Sequence, residues 1–282
     1  MEHRRRVLIL MTPSVLLLGL LFLLPLGIMA MFTFRLGSFG AERDIFTLEH
    51  YREFWVDTAM QRLLWRSVVL SLWVSLLTVV LAYPIAYFLT FRAGALKYTL
   101  LSIIIVPAWV SYLLRVLSWK VILGSNGALA SFLEWIGFTV DSPLLLYSSS
   151  AVVVTLVYVW IPFVALPIFT ALERLDKSLL EAAADLGCTR WQAFIRVTLP
   201  LSLPGVIAGF LFVFIPTVGE YVTPALVGGP TGIMFGNIIL DQFLRALNWP
   251  MGALMSMVML VVVLLPLIIF GRFIRLSDLA GV

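Results

Sequence analysis

Long apolar runs constrain what this chain can fold into more than any other feature. Six such runs lie at about residues 7–32, 64–91, 98–123, 151–172, 201–226 and 251–273. Each is long enough to cross the roughly 30 Å apolar layer of a bilayer as a helix, and none alternates like a membrane-spanning strand. Backbone polar groups must pair with one another in lipid. We therefore predict an all-α integral membrane protein with six transmembrane helices in a single domain, residues 1–282.

Composition excludes a soluble fold. Hydrophobic residues make up 62% of the 282 residues and charged residues only 12%, whereas a soluble domain is about a quarter charged. A net charge of +4 would suggest a nucleic-acid ligand in a soluble protein. Here the basic residues gather at the ends of the apolar runs, so membrane topology explains them. We predict no nucleic-acid partner, and the lipid bilayer is the expected surrounding.

The chain begins with a basic segment, Met1–Arg6, before its first apolar run. A cleaved signal peptide begins in the same way. The run from Val7 to about Phe32 is too long for the apolar region of such a peptide, and no small-x-small cleavage site follows it. We therefore predict a retained first span.

Charges between the spans predict the orientation of the protein. An even number of spans places both termini on one side. The segments on that side carry eleven basic and six acidic residues, and those on the other side carry eight and nine. Because basic residues accumulate in short cytoplasmic loops, we predict that both termini and residues 173–200 are cytoplasmic.

Residues that usually perform covalent chemistry are scarce. His3 and His50 are the only histidines, and Cys188 is the only cysteine. These residues form no pattern of metal ligands, and the G-x-x-x-x-G-K motif that binds nucleotide phosphates is missing from the sequence. We predict no catalytic residue, no metal site and no cofactor in this chain, so that it is not itself an enzyme.

The polar segment between the fourth and fifth spans has the pattern of a helical hairpin. Glu181 and the alanines after it favour a helix, Gly187 is a natural stop, and apolar residues then recur at helical spacing up to Pro200. We expect Glu181 to cap or position the first helix and Gly187 to allow a tight turn. Such a hairpin could dock into a soluble partner, or it could be an ordinary loop on the membrane surface.

This hairpin resembles the EAA loop of ABC-importer permeases. The family pattern is E-A-A, three residues, G, nine residues and I-x-L-P, and this chain departs from it only at Val197, where the family usually has Ile. The resemblance implies that the segment docks in a groove of a cytoplasmic ATPase subunit and transmits its movement. The residues that it implies for this coupling are Glu181, Ala182, Ala183, Gly187, Leu199 and Pro200.

Two charged residues stand out within the predicted spans, Arg115 and Glu220. A charge at the centre of a span costs roughly 2.5–3.5 kcal/mol and usually has a function or a partner. Arg115 could pair with Glu220, face the outer interface or line a pathway. Glu220 lies beside Tyr221 and several prolines and glycines, which favours an irregular segment along a water-filled pathway.

A carboxylate with aromatic neighbours would suit a cationic solute. Three further rings, in the third span, could line the same pathway, although interfacial anchoring or core packing would also explain them. These are Trp109, Tyr112 and Trp119.

Most of the chain after the first span is similar to the spermidine/putrescine permease family. The matching stretches are residues 107–122, 157–175, 179–187 and 214–230, together with Asn248-Trp249-Pro250. The resemblance implies the type I ABC importer permease (MetI-like) fold and a bacterial inner-membrane location. It also implies three kinds of protein partner: a second homologous permease subunit, a dimer of ATPase subunits that binds ATP and Mg²⁺, and an extracytoplasmic substrate-binding protein.

Several alternatives stay open at this stage. A permease of the same type could carry another solute, such as iron, a phosphonate or an amino compound, because related permeases share the EAA loop. A secondary transporter or channel would work without an ATPase but would leave the loop unexplained. An integral membrane enzyme would need a catalytic cluster, which the sequence does not offer.

Overall fold

The computed structural model describes residues 2–137 and 146–280, and throughout these ranges the regular elements are helices. They are α1 Glu2–Phe32, α2 Glu49–Val56, α3 Thr58–Phe91, α4 Lys97–Ile105, α5 Tyr112–Ile122, α6 Ala128–Trp135, α7 Ser149–Glu173, α8 Lys177–Asp185, α9 Arg190–Ala193, α10 Leu199–Val218, α11 Gly229–Gly232, α12 Phe235–Leu244 and α13 Trp249–Ala280. Within these ranges, five helical segments are long and apolar enough to cross a membrane, or up to six if a bent pair of helices is one span. The depth of each helix in the bilayer stays a prediction.

The third predicted span is broken rather than straight. Helix α4 ends at Ile105, a short 3₁₀ turn covers Val106–Trp109, and α5 leaves at an angle of 91°. Pro107, which has no N–H group to continue the helical hydrogen bonds, lies in this turn. Val110 and Ser111 then adopt extended backbone, with ψ angles of 140° and 135°. The chain therefore changes direction in the middle of an apolar run.

Prolines elsewhere leave their helices continuous. Pro84 lies inside α3, Pro162 and Pro167 inside α7, and Pro204 inside α10. Each removes one backbone donor, and neighbouring helices make such losses tolerable within a membrane protein.

The chain divides into two compact units. The first comprises Met1–Arg62 and Ile238–Val261. Within it, Ser38 joins the two chain segments, because its hydroxyl donates to the Leu247 carbonyl at 2.6 Å and accepts from the Trp249 N–H at 2.8 Å.

The second unit comprises Leu63–Asn237 and Val262–Val282. Its centre is the close contact of α7 with α10. A side chain at Gly205 would place its Cβ 2.6 Å from the Pro167 carbonyl oxygen and 2.5 Å from the Ala171 Cβ. Gly209 faces Val164 in the same way, at 3.0 Å. Small residues of this kind let two helices approach closely.

A row of small hydroxyl side chains on helix α3 faces this core. Ser67, Ser71, Ser75 and Thr78 are fully buried. The last three donate to carbonyls four residues earlier, at 2.6–2.8 Å. Ser67 instead accepts the Phe235 N–H at 2.7 Å. The hydroxyls are thus satisfied without water.

Candidate functional site

Helix α8, the first arm of the hairpin, begins at a capped end. Asp176 is its N-cap, and Oδ1 accepts the Ser178 N–H at 3.0 Å. This hydrogen bond holds the pKa of Asp176 below its usual value. Glu181 lies in the middle of α8 and is exposed, so the capping role falls to Asp176, and a positioning role for Glu181 stays a prediction. Asp176 could have been identified as the cap from the sequence, because it directly precedes a helical run and Asp is a preferred N-cap residue.

Gly187 ends α8 in the left-handed conformation, with φ +82°. Its N–H donates to the Ala184 carbonyl at 2.9 Å, and the Cys188 N–H donates to the Ala183 carbonyl at 3.0 Å. These two bonds form a Schellman motif, which satisfies the last carbonyls of a helix. The sequence-based prediction of a tight turn at Gly187 agrees with this backbone geometry.

The second arm starts with a capping box. The Thr189 hydroxyl accepts the Gln192 N–H at 3.3 Å, and the Gln192 side chain accepts the Thr189 N–H at 2.9 Å. Helix α9 then passes through a π-helical turn, Phe194–Thr198, directly into α10. The helical segment Arg190–Val218 is therefore unbroken. Its apolar part, α10, begins with Leu199 and Pro200.

Aromatic rings connect this second arm to α3. Phe194 stacks on Trp191 with ring centroids 5.4 Å apart. It also makes edge contacts with Tyr83 at 5.7 Å and Tyr87 at 5.8 Å. A movement of the hairpin would thus reach α3 as well as α10.

The hairpin exposes two large apolar side chains beside its turn. Leu186 is 85% exposed and Trp191 68% exposed, whereas Ala183 is buried. Exposed apolar side chains at a polar turn are typical of a surface that meets another protein. Ala182 is also exposed.

Lys97 and Glu173 form an ion pair near the base of the hairpin. Glu173 is the last residue of α7, and Lys97 is the first of α4. The pair connects two elements that sequence reasoning placed in separate loops.

Glu220 lies in the break after α10. Its Oε1 accepts the N–H groups of Val222 at 2.9 Å and Thr223 at 3.1 Å. It therefore stabilises the start of the next helical turn. The irregular backbone that the sequence favoured is present here, and Oε1 is engaged in holding it.

Arg115 is buried, with 8% of its surface exposed. Its Nη1 donates to the Val159 carbonyl of α7 at 3.2 Å. Among the described residues, the ion pairs within 4.0 Å do not include one between Arg115 and Glu220. The two charges are instead each tied to backbone groups.

Tyr112 joins the same region, because its hydroxyl lies 2.5 Å from the Thr223 hydroxyl. The carbonyl of Tyr221 accepts the Asn237 side-chain N–H at 2.8 Å, while the ring of Tyr221 is exposed. Thr223 and Asn237 thus belong to the site, and no sequence pattern singled them out.

The two tryptophans lie in different surroundings. Trp119 packs against Tyr158 with ring centroids 5.4 Å apart, and Trp109 is 83% exposed. The place of both rings in a pathway stays a prediction. Within the described part of the chain, no group of three or more potential metal ligands comes together.

The comparisons with known proteins agree with this architecture. The family model of binding-protein-dependent transport system inner membrane components matches residues 79–277. The spermidine/putrescine transport system permease protein PotB of Escherichia coli (strain K12) is 38% identical over 235 residues, which cover 83% of this chain and 85% of the relative.

Solved structures show the same fold. A chain of a bacterial alginate ABC transporter, crystallised with an alginate pentasaccharide-bound periplasmic protein, matches with a TM-score of 0.72 at 18% identity, covering 97% of this chain and 96% of that one. A chain of the MetNI methionine ABC transporter matches with a TM-score of 0.58 at 19% identity, covering 80% and 98%. The predicted all-α, MetI-like fold class is confirmed.

Proposed function

Because this chain belongs to the family of binding-protein-dependent transport system inner membrane components, we propose that it is the permease subunit of an ATP-driven importer for spermidine, putrescine or a closely related polyamine. The observation that carries the proposal is the 38% identity to a spermidine/putrescine permease over 83% of the chain. The likeness extends along most of both proteins rather than over one motif.

The hairpin supplies the coupling to ATP hydrolysis. Its exposed apolar residues, Leu186 and Trp191, would seat in an ATPase subunit, which would bind ATP and Mg²⁺. Because Arg190–Val218 is one helical segment, a displacement of the docked arm would move α10 with it. The partners of this proposal are an ATPase dimer, a second permease subunit and an extracytoplasmic binding protein, in keeping with the periplasmic protein that accompanies the alginate transporter.

Orientation follows from the same hairpin. An ATPase is reached only from the cytoplasm, so residues 173–200 lie there, and both termini lie on the same side of the bacterial inner membrane. The excess of basic residues in these segments supports this orientation.

Glu220 supplies the charge that would favour a cationic solute. Its Oε1 accepts two backbone N–H groups and the Tyr112 hydroxyl also interacts with the carboxylate, whose negative charge would attract an ammonium group. In this proposal Tyr112, Arg115 and Tyr221 line the same pathway as Glu220. Arg115 would limit how long a cation stays, because a like charge nearby weakens its binding.

The cycle that we propose is alternating access. A loaded binding protein docks on the external segments, and ATP closes the ATPase dimer on the cytoplasmic side. The hairpins move with it, the spans open outward, and the polyamine passes from the binding protein to the pathway. Hydrolysis then resets the spans toward the cytoplasm.

The proposal is tested by purifying the complex from its native membrane and identifying the solute on the associated binding protein by mass spectrometry. Uptake of labelled putrescine and spermidine is then measured in vesicles that contain the complex, with and without internal ATP. Polyamine uptake that requires ATP is expected.

Three results would contradict it in different ways. Competition by iron, a phosphonate or an amino compound, with none by polyamines, would keep the permease and change its substrate. Uptake that persists without an ATPase would indicate a secondary transporter or channel. A complex that lacks an ATPase altogether would remove the coupling role of the hairpin.

A further inference from the structure

A groove of about 310 Å³ lies between α3 and α7 in the second unit. Its two ends differ in chemistry. One end is polar, and the rest is formed by aliphatic and aromatic side chains. The lining residues are Arg66, Ser149 and Ser150 at the polar end, and Val69, Leu70, Trp73, Leu77 and Val153 along the remainder.

The guanidinium group at the polar end is held in place by a chain of hydrogen bonds. Arg66 Nη2 donates to the Ser149 hydroxyl at 3.0 Å. That hydroxyl donates in turn to the Thr231 carbonyl at 2.6 Å. Ser149 is therefore fixed as an acceptor for Arg66, and the guanidinium is oriented before any ligand binds.

The positive charge of Arg66 is not neutralised within the described part of the chain. The ion pairs there join His50 with Glu53, Lys97 with Glu173, and Arg245 with Asp241. The N-terminal end of α7 begins at Ser149, and a helix dipole adds partial positive charge at that end. The polar end of the groove thus favours an anion.

The whole groove, from its polar end to its far end, is about as long as one membrane leaflet is thick. From Arg66 to Leu77 α3 advances eleven residues, or about 17 Å at 1.5 Å per residue, and half of the apolar layer of a bilayer is about 15 Å. Trp73 is 57% exposed and Leu77 39% exposed. The wall of the groove therefore presents apolar surface from Val69 to Leu77 that an acyl chain can contact.

We propose that this groove binds one phospholipid, with its phosphodiester on Arg66 and an acyl chain along Val69, Trp73 and Leu77. A single cation at one end of an apolar groove matches an amphipathic ligand with one anionic group, whereas a protein segment would have to present an acid beside an apolar stripe. In the orientation of the proposed function, the lipid belongs to the external leaflet. Binding of the lipid does not depend on which solute the protein transports.

The experiment uses the full chain in living cells. A photoreactive benzophenone amino acid is placed at position 77, inside the groove, and the adducts are identified by mass spectrometry. Position 72 is the matched control, because Leu72 is on the same helix, is 41% exposed and does not line the groove. Each position is combined with Arg66→Gln or with Arg62→Gln. Arg62 is exposed, lies one turn earlier, and donates hydrogen bonds to Thr58 of the same helix.

We expect a phospholipid adduct at position 77 that falls about tenfold with Arg66→Gln, equivalent to about 1.4 kcal/mol, and is unchanged with Arg62→Gln. Lipid adducts at position 72 should not respond to either variant. Ser149→Ala keeps the charge of Arg66 but removes the hydrogen bond that orients the guanidinium, so it should lower the phospholipid adduct at position 77 by less. This variant replaces Arg66→Gln in the test if the Arg66→Gln protein does not accumulate. Equal labelling in all variants would mean ordinary surrounding lipid and would overturn the proposal. A protein adduct at position 77 would overturn it too, since a partner subunit would then cover the groove.

Discussion

The hydroxyl groups of Tyr83 and Ser202 lie 2.9 Å apart and connect α3 to α10. Both side chains are buried. Ser202 follows Pro200, where the hairpin enters the apolar part of α10, and Tyr83 also touches Phe194 of the second arm. The contact therefore lies where a movement of the hairpin would enter the transmembrane helices.

Tyr83→Phe should lower stability by about 1 kcal/mol, the usual net value of one hydrogen bond. The Ser202 hydroxyl keeps its bond to the Leu199 carbonyl at 3.1 Å, so no donor is left unpaired. Thermal unfolding of the purified protein measures the loss. Ser202→Ala combined with Tyr83→Phe should cost little more than either change alone, and full additivity would show that the two hydroxyls act independently. Tyr158→Phe, at a 40% exposed ring, is the control.

Gly187→Val should uncouple ATP hydrolysis from uptake while the complex still assembles. A left-handed conformation costs roughly 1–2 kcal/mol for an ordinary residue and more for a β-branched one. The turn of the hairpin would change shape, so that the docked hairpin would no longer follow the movement of the ATPase subunit. Gly187→Asn is the matched control, because Asn tolerates this conformation. The ratio of ATP hydrolysed to solute imported is the measurement, and normal coupling with Val would contradict the docking role of the turn.

Asp176→Ala should loosen the start of α8, with a smaller effect on coupling than Gly187→Val. The carboxylate accepts the Ser178 N–H. The lowered pKa of Asp176 means that the ionised carboxylate, rather than the neutral carboxyl group, stabilises the folded helix. Because the folded pKa lies below the usual 3.8, the contribution is complete above that value and is lost as pH falls through the folded pKa.

Asp176→Asn separates the two effects, since its amide oxygen still accepts the hydrogen bond but does not titrate. Hydrogen exchange at residues 177–180, corrected for intrinsic rates, should therefore respond to acid in the wild type and not in the Asn variant. The same acid response in both proteins would show that another group is responsible.

Glu220→Gln should reduce polyamine uptake about tenfold while the protein keeps its stability. The Gln oxygen can still accept the N–H groups of Val222 and Thr223, and only the charge is removed. Glu220→Ala removes the hydrogen bonds as well and should also destabilise the break after α10. Uptake of labelled putrescine and thermal unfolding are measured on both. Normal uptake with Gln and a loss with Ala would make Glu220 a structural cap and exclude it from the pathway.

Gly205→Ala should destabilise the second unit by about 1–3 kcal/mol, the usual cost of overpacking. The new methyl group would lie 2.6 Å from the backbone of Pro167, and backbone cannot yield as a side chain can. Gly19→Ala is the control, because a Cβ at Gly19 meets nothing within 4 Å. Accumulation in the membrane and the midpoint of thermal unfolding are compared. Equal values for the two variants would mean that α7 and α10 can separate at little cost.

Much of the fold follows from patterns that are local in the sequence. The continuous apolar runs predict helices because a backbone in lipid must satisfy itself, and the helix–glycine–helix pattern of the hairpin predicts its turn. Gly187 was found in this way because one residue type is favoured at a left-handed position. Asp176 could have been found by the same reasoning, from the preference of Asp for the N-cap.

The contacts of the charged residues could not be predicted from local sequence patterns. Arg115 and Glu220 are 105 positions apart in the sequence, and their types alone suggested an ion pair as one alternative. Arg115 instead reaches the Val159 carbonyl, and Glu220 holds the amides after it. The 91° bend at Pro107 is likewise not specified by the proline alone, because Pro84 lies inside a helix that continues.

The sequence by itself determined that the protein lies in a membrane, that it is helical, where the hairpin lies and to which family the chain belongs. These properties depend on composition and on spacing along the chain. The tertiary structure decided which side chains meet. It brings Tyr83 to Ser202, Tyr112 to Thr223, and Arg66 to Ser149 at the end of a groove. Each of these contacts joins residues more than 80 positions apart, and packing of one helix on another, rather than any local preference, sets the distance between them.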